Sequence, residues 1–414
     1  MVSSRRRLPF VAVVLLAVAA LWLPACALQP TVDKTYTIAV IAPESGAEAA
    51  IGRSVQSAVD LAVGQNATLG QGYSLEVRHI DEASGTAAES IQSLASDSHL
   101  LGVIGPITSA TALSVIPIIE QNGIPTISPT AGLPGLTQQT QASADGVSFS
   151  RLYPKGKAQA FFRLTAPDTA VGKAAADLAV EPAQSHGMAA QSVFIVDDGS
   201  MSGKASAAAF SEELSAQHAR VGGQQTITTG PQDNAQEVVT AIIEAHPDLI
   251  FYSGGISGGA LLRRTLSLTG APTLGMLATG LIADDPGWGS SVGVTAAAAY
   301  TSALFPAQDP SKLSTASRFI TAYHAAYSGE PVLPETVLAY DAAMDEITAI
   351  KSLVQSAHVP TRAGVLSAVA SLKYSGASGT ISFDSHGDVT SPSSFSLYTC
   401  DTKGAWTYAA SLGS

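Results

Sequence analysis

The chain has 414 residues, of which 46% are hydrophobic and only 13% charged, with 37 Gly and a net charge of −12 at pH 7. That balance excludes intrinsic disorder and provides enough chain for two or three domains with substantial cores. The acidic excess excludes a phosphate-neutralising surface for nucleic acid, two Cys cannot build a disulfide scaffold or a four-ligand zinc site, and a single long apolar segment excludes a polytopic membrane protein.

In chain order, residues 1–25 read as a secretory signal. Arg5, Arg6 and Arg7 form a positive region, and Leu8 to Leu23 an uncharged apolar stretch. The stretch ends in Leu23-Pro24-Ala25-Cys26, which resembles a bacterial lipobox and implies cleavage before Cys26 and lipidation of its thiol. An uncleaved membrane anchor is the alternative. Both place the bulk of the chain outside the cytoplasm, and acyl chains on Cys26 would hold it on a membrane with 26–34 as a tether. Once Cys26 is lipidated, Cys400 has no disulfide partner; its apolar, strand-like setting marks a buried structural thiol rather than a nucleophile.

From Thr35 onward, short β-branched runs alternate with Ala-rich helical stretches. Tyr36–Ala42 reads as a strand, 48–64 as a helix with Ile51, Val55, Ala58, Val59 and Ala62 on one face, and Ser74–Ile80 as a strand followed by helix 86–97. Leu101–Gly105, uncharged and fit for burial on both faces, leads into helix 109–121, and Ile124–Ser128 closes the series. The Pro-, Gly-, Gln- and Ser-rich stretch 129–157 reads as a loop. A second series follows, with strands at Ser192–Asp197, Gln225–Thr228, Asp248–Ser253 and Pro272–Leu277, and helices at 203–217, 235–245 and 258–269. Helices at 312–327, 335–356 and 362–371 complete it. Two such series predict an α/β chain of two lobes, each built on a doubly wound parallel sheet.

The eight His are scattered without metal-ligand spacing, and no phosphate-binding Gly-x-x-x-x-Gly-Lys-Ser/Thr loop occurs. Gly255-Ile256-Ser257-Gly258-Gly259, after a strand and before a helix, matches the nucleophile-elbow pattern. A hydrolase built on Ser257, with Asp341 and His386 completing a triad, is one reading. In a Gly-rich chain the plainer one is a strand-to-helix turn whose amides face a cleft.

The combined signals are more specific. Ala39-Val-Ile-Ala-Pro-Glu-Ser-Gly, Asp81-Glu82, Val103-Ile-Gly-Pro-Ile-Thr-Ser-Ala-Thr and Asn122-Gly-Ile-Pro-Thr-Ile-Ser-Pro-Thr-Ala occur in that order. Ala339-Tyr340-Asp341-Ala342-Ala343 and Gly376-Ala-Ser-Gly-Thr-Ile-Ser-Phe-Asp-Ser-His-Gly-Asp388 follow. Together, over about 35–412, they resemble the type I periplasmic-binding-protein family, and within it the branched-chain amino-acid (leucine/isoleucine/valine) receptors of ABC transporters. The resemblance implies a clamshell of two lobes, 35–163 plus 303–393 and 164–302 plus 394–414. Three crossovers would join them, near Phe162–Asp168, Tyr300–Phe305 and Ser391–Ser396, with a small polar or amino-acid-like ligand in the cleft. It further implies an extracytoplasmic, monomeric, cofactor-free and non-catalytic receptor whose closed form docks on ABC permease subunits. A sensory or scaffold version of the same clamshell is the alternative.

Carried over residue by residue, the resemblance implies that Ile107, Thr108 and Ser109 receive a ligand carboxylate, although Thr108 or Ser109 could equally cap the helix that starts there. Thr130, Ala131 and Gly132 form the second segment, with Gly132 standing where a Thr is common. In the second lobe, two rings of amino-acid receptors map to Ser202 and Gly255, and the acid that pairs with an ammonium maps to Thr279. Glu335 either replaces that acid or is a solvated acid in a helix's first turn. Trp288 either stacks on a ligand or plugs the lobe interface, and Tyr340 and Asp341 brace the hinge. The expected ligand therefore places an anionic or strongly polar acceptor at Ser109 and an uncharged portion against Ser202, Gly255 and Thr279.

Overall fold

The computed structural model describes residues 34–155, 160–180, 189–293, 298–390 and 394–413. The signal segment, Cys26 and most of the tether lie outside the described residues.

The first sheet is assembled from β1 (Lys34–Ala42), β2 (Thr68–Gly70), β3 (Tyr73–Asp81), β4 (Leu100–Ile104), β5 (Thr126–Ser128) and β6 (Phe161–Arg163) in the order β2-β3-β1-β4-β5-β6. All neighbours pair in parallel except the β2–β3 edge. Helices α1 (Ala49–Gln65), α2 (Ala87–Leu94) and α3 (Ser109–Asn122) make the crossovers. The apolar face expected for α1 is its buried face, and β4 is buried along its whole length as its uncharged sequence requires.

The second sheet has the order β15-β14-β11-β10-β9-β7-β8, made of β7 (Ser192–Asp197), β8 (Arg220–Thr226), β9 (Leu249–Ser253), β10 (Gly275–Thr279), β11 (Thr301–Phe305), β14 (Ser394–Cys400) and β15 (Trp406–Gly413). Its strands β11 to β8 are parallel, while β14 and β15 close one side antiparallel. Helices α4 (Asp168–Val180), α5 (Met201–Ala216), α6 (Ala235–Ala245) and α7 (Ile256–Leu268) belong to this sheet, α4 packing along α5. Each expected helix is present, with ends shifted by a residue or two at most places; 312–327 instead opens with two 3₁₀ turns before α8 (Ser317–Ala326).

The chain passes from one sheet to the other three times. It leaves β6 for α4 through Leu164–Pro167. It returns after β11, because Thr301–Phe305 pairs with β10 and stays in the second sheet; the second crossing thus follows the Tyr300–Phe305 stretch where it was expected, beyond the expected division at 302/303. Helix α9 (Pro334–Gln355) then packs on α1, β4 and β5 in the first lobe, with α10 (Arg362–Ser371) beside it. After a small hairpin of β12 (Tyr374–Ser375) and β13 (Thr380–Ile381), the chain re-enters the second sheet at β14.

The 129–157 stretch is not a link between lobes. It connects β5 to β6 within the first sheet and buries Leu133, Leu136 and Tyr153, whose hydroxyl donates to Leu136 O at 2.5 Å. At the first crossing the fully buried Arg163 donates to Asp388 at 2.7 Å and to Leu133 O at 2.9 Å, tying this stretch to the last crossing.

Candidate ligand cleft

In each sheet the winding reverses once. β1 sits between β3 and β4, so the loops after β1 and β4 diverge at the carboxyl end of the first sheet. β7 sits between β8 and β9, so the loops after β7 and β9 diverge likewise in the second. Such switch points leave a crevice at the strand ends. Here the two crevices face each other around one cavity of about 610 Å³, lined from both lobes.

Ile107, Thr108, Ser109, Thr130 and Gly132 line its first-lobe wall, and Ser202, Gly255 and Thr279 its second-lobe wall. Sequence reasoning thus gathers eight residues from distant positions into one place. Ala131 is not among the lining residues: it is completely buried, its amide donating to Ser128 Oγ at 3.0 Å. Glu335 is not among them either. It is fully buried beside Asp284, so it neither replaces the lost acid of the cleft nor lies in solvent. Trp288 is fully buried, its ring 5.9 Å from that of Trp406; it plugs the second lobe rather than stacking on a ligand.

The first-lobe wall differs from expectation in its electrostatics. The amides of Ile107 and Thr108 donate to Glu82 Oε2 and Oε1 at 2.9 and 2.8 Å, and the Thr108 hydroxyl donates to Glu82 Oε1 at 2.5 Å. These groups are therefore not available to a ligand carboxylate; the chain supplies its own. Thr108 also caps α3, accepting from Thr111 N. What remains is Ser109. Its hydroxyl accepts from Leu133 N at 3.1 Å and keeps its proton to donate, and the first-turn amides of Ser109 and Ala110 have no intrahelical acceptor. Thr130 donates to Ile107 O at 2.8 Å.

Three acids that the sequence reading missed line the same cavity: Glu48, Asp168 and Asp198. Glu48 precedes α1 without capping it. Burial pushes its carboxyl up, and neighbouring Asp198 adds to that. Asp198 accepts from Gly255 N at 2.8 Å, and from Ser200 N at 3.0 Å and Ser200 Oγ at 2.6 Å. Asp168 opens α4. Burial raises it to about 7 against the opposing bond from Ser202, and its Oδ2 is enclosed without a partner. Asp168 also explains Gly132: a methyl group there would stand 2.3 Å from Asp168 Oδ1, so a carboxylate occupies the space in which a Thr side chain would stand. The available signal was position. Glu48 follows the β1 loop, Asp198 comes directly after β7, and Asp168 follows Pro167 at a helix start, all just past strand carboxyl ends or at helix amino ends.

Ser257 is exposed on α7 with no hydrogen bond to Asp341 or His386. Asp341 is buried in α9, accepting from Ala377 N at 2.8 Å and Ser378 N at 2.6 Å, and His386 is an exposed neighbour of Asp384. The triad is not assembled. Asp341 instead holds the turn after β12, while the Tyr340 hydroxyl donates to Gln65. Cys400 is buried, and burial lifts its thiol to about 12, which keeps it unreactive.

Residues 35–405 match the model of the periplasmic binding protein family. A leucine/isoleucine/valine-binding protein of Rhizobium johnstonii is 27% identical over 249 residues, 58% of this chain and 60% of that relative's own length. A leucine-binding protein of Thermotoga maritima superposes with a TM-score of 0.73 at 22% identity, covering 91% of this chain and 99% of that one. The branched-chain amino-acid transporter substrate-binding protein of Streptococcus pneumoniae, solved with isoleucine, gives 0.72 at 21%, covering 92% and 99%. A solute-binding protein of an ABC transporter from R. palustris, solved with 4-hydroxybenzoate, gives 0.73 at 17%, covering 92% and 97%. These structures establish the fold, and the resemblance read from the sequence motifs is borne out.

Proposed function

We propose a solute-receptor function on one premise: the chain belongs to the periplasmic binding protein family. It captures a small molecule between its lobes, outside the cytoplasm, and hands it to the permease subunits of an ABC importer. It acts by binding, without catalysis, and is held on the membrane through lipidated Cys26.

The observation that carries this reading is the cavity itself. Ser109 and Glu48 stand on one lobe, Asp198 and Gly255 on the other, around a common space. A ligand touching both walls favours the closed arrangement, since it gains contacts there that an open one lacks. The diversity of relatives, one solved with isoleucine and another with 4-hydroxybenzoate, fits a shared scaffold whose wall residues set the ligand.

Thermal unfolding with candidate ligands tests the receptor. A ligand at a hundredfold over its dissociation constant adds about 2.7 kcal/mol, an unmistakable rise in Tm. Uptake of the same compound by cells must then fall when the gene is deleted. Labelling with a radioactive fatty acid tests the anchor: the wild-type chain takes label and Cys26→Ala does not, whereas equal labelling contradicts anchoring at Cys26.

A further inference from the structure

We propose that the ligand of this cavity is a net organic cation, whose charged nitrogen sits between Glu48 and Asp198, rather than an amino-acid zwitterion or a carboxylate. The assignment deepens the receptor reading above and rests on it.

The first support is geometric. Gly255 puts no side chain where the carboxylates of the two lobes face each other, and Asp198 packs into the space that Gly254 leaves. A methyl group on Gly255 would stand 3.3 Å from Glu48 Oε1 and 3.8 Å from Asp198 Oδ2. The two oxygens are therefore at most about 7 Å apart across the cavity, so that one ligand nitrogen with several N–H donors can address both. Two carboxylates so placed repel unless a proton or a cation lies between them.

The second support is unmet hydrogen-bonding capacity. Asp198 spends its oxygens partly on Gly255 N and Ser200, but among the described residues no hydrogen bond reaches the Glu48 carboxylate. Asp168 Oδ2 is enclosed without a donor in the same cavity. Buried acceptors left without donors are costly, and a ligand that brings donors relieves that cost.

The third support is compensation, or its lack. Among the described residues lining the cavity none is Lys, Arg or His. On the first-lobe wall the amides of Ile107 and Thr108, which could have received an anion, already hold Glu82. A ligand carboxylate would enter beside a fixed carboxylate. The Ser109 hydroxyl and the amides next to it remain fit for an uncharged acceptor such as an amide carbonyl. This reverses the polarity expected from the sequence, which placed the anionic group at Ser109 and an uncharged portion on the second lobe.

The test uses the full chain in detergent and titration calorimetry with compounds that share a side chain but differ in charge. Leucinamide is the cation, leucine the zwitterion, N-acetylleucinamide the neutral form and N-acetylleucine the anion, with the same four forms built on glycine and phenylalanine. In the set that binds, the cation is expected to bind about tenfold or more tighter than the zwitterion, with the anion weakest. Glu48→Gln should weaken the cation about tenfold while leaving the neutral form within about threefold, and Glu48→Asp should restore part of the loss. An unchanged Tm of the unliganded variants shows that they fold. Tightest binding by a zwitterion or an anion, or cation binding indifferent to Glu48→Gln, overturns the charge assignment and leaves the receptor reading standing. Binding by no member of any set overturns both.

Discussion

Two regions of this molecule bring carboxylates together, with opposite consequences. In the cleft, Glu48 and Asp198 approach each other from different lobes across open space. Behind it, Asp284 from the loop after β10 meets Glu335 from the first turn of α9, both with essentially no exposure and no hydrogen-bond donor from elsewhere in the described chain. Burial drives both of the inner pair upward; Glu335 pushes Asp284 further, well above its ordinary value, while the hydrogen bond from Asp284 partly offsets the rise at Glu335. The inner pair must therefore keep a proton, because no space remains for a counter-ion. The cleft pair has that space. The same functional group is a binding element where a cavity adjoins it and a proton-holding packing contact where none does.

The largest expected effect comes from Asp198→Ala. It removes the acceptor for Gly255 N and both Ser200 bonds together with one wall of the cation site. Ligand affinity should fall at least about a hundredfold and stability by about 2–4 kcal/mol, read by calorimetry and by urea unfolding. Full affinity in this variant would separate the cleft acids from binding and break the comparison.

Glu335→Gln should act in the other direction. The folded-state value of Glu335 is raised above its unfolded value, so the folded protein holds a proton that the unfolded chain has already lost. The favourable contribution of that proton is present at low pH and is lost as pH rises through the raised value. A neutral Gln should therefore stabilise the protein at pH 8 by about 1–3 kcal/mol, do little at pH 4, and leave ligand affinity unchanged. A changed affinity would mean that the inner pair also reports on the cleft.

The cleft should show the opposite pH sign. Glu48 is raised by burial and by Asp198, so cation binding should strengthen as pH rises through its shifted value and weaken on acidification. Calorimetric titrations at pH 4.5, 6 and 8 with one cationic probe measure this, and Glu48→Gln should flatten the profile.

Ser109→Ala is the smallest expected change. Losing one hydroxyl donor to an uncharged acceptor costs about 1 kcal/mol, or roughly fivefold in affinity, with the fold intact. A loss beyond about a hundredfold would point to an anion at Ser109 and restore the polarity expected from the sequence.

Much of this was legible in the residues. Strand and helix periods gave the two α/β lobes, because β4 and β9 are uncharged runs and α1 carries a single apolar face. Ser109, Ser202, Gly255 and Thr279 could be gathered into one site because doubly wound sheets deliver their strand ends to one crevice. What was not legible depends on tertiary contacts. Glu82 directly follows β3, 25 residues from Ile107, and nothing local tells that its carboxylate fills the next crevice loop. Glu335 after Pro334 has the look of a solvated first-turn acid, yet α9 is covered on both sides at that point. Glu48 and Asp198 gain meaning only when the lobes face each other.

The most direct measurement is native mass spectrometry of the full chain purified without added ligand, followed by release and identification of what it carries. The account predicts a small molecule with a protonatable nitrogen and no free carboxylate, retained by the wild type and lost from Glu48→Gln. A bound carboxylate or zwitterion, held equally by both proteins, would contradict it.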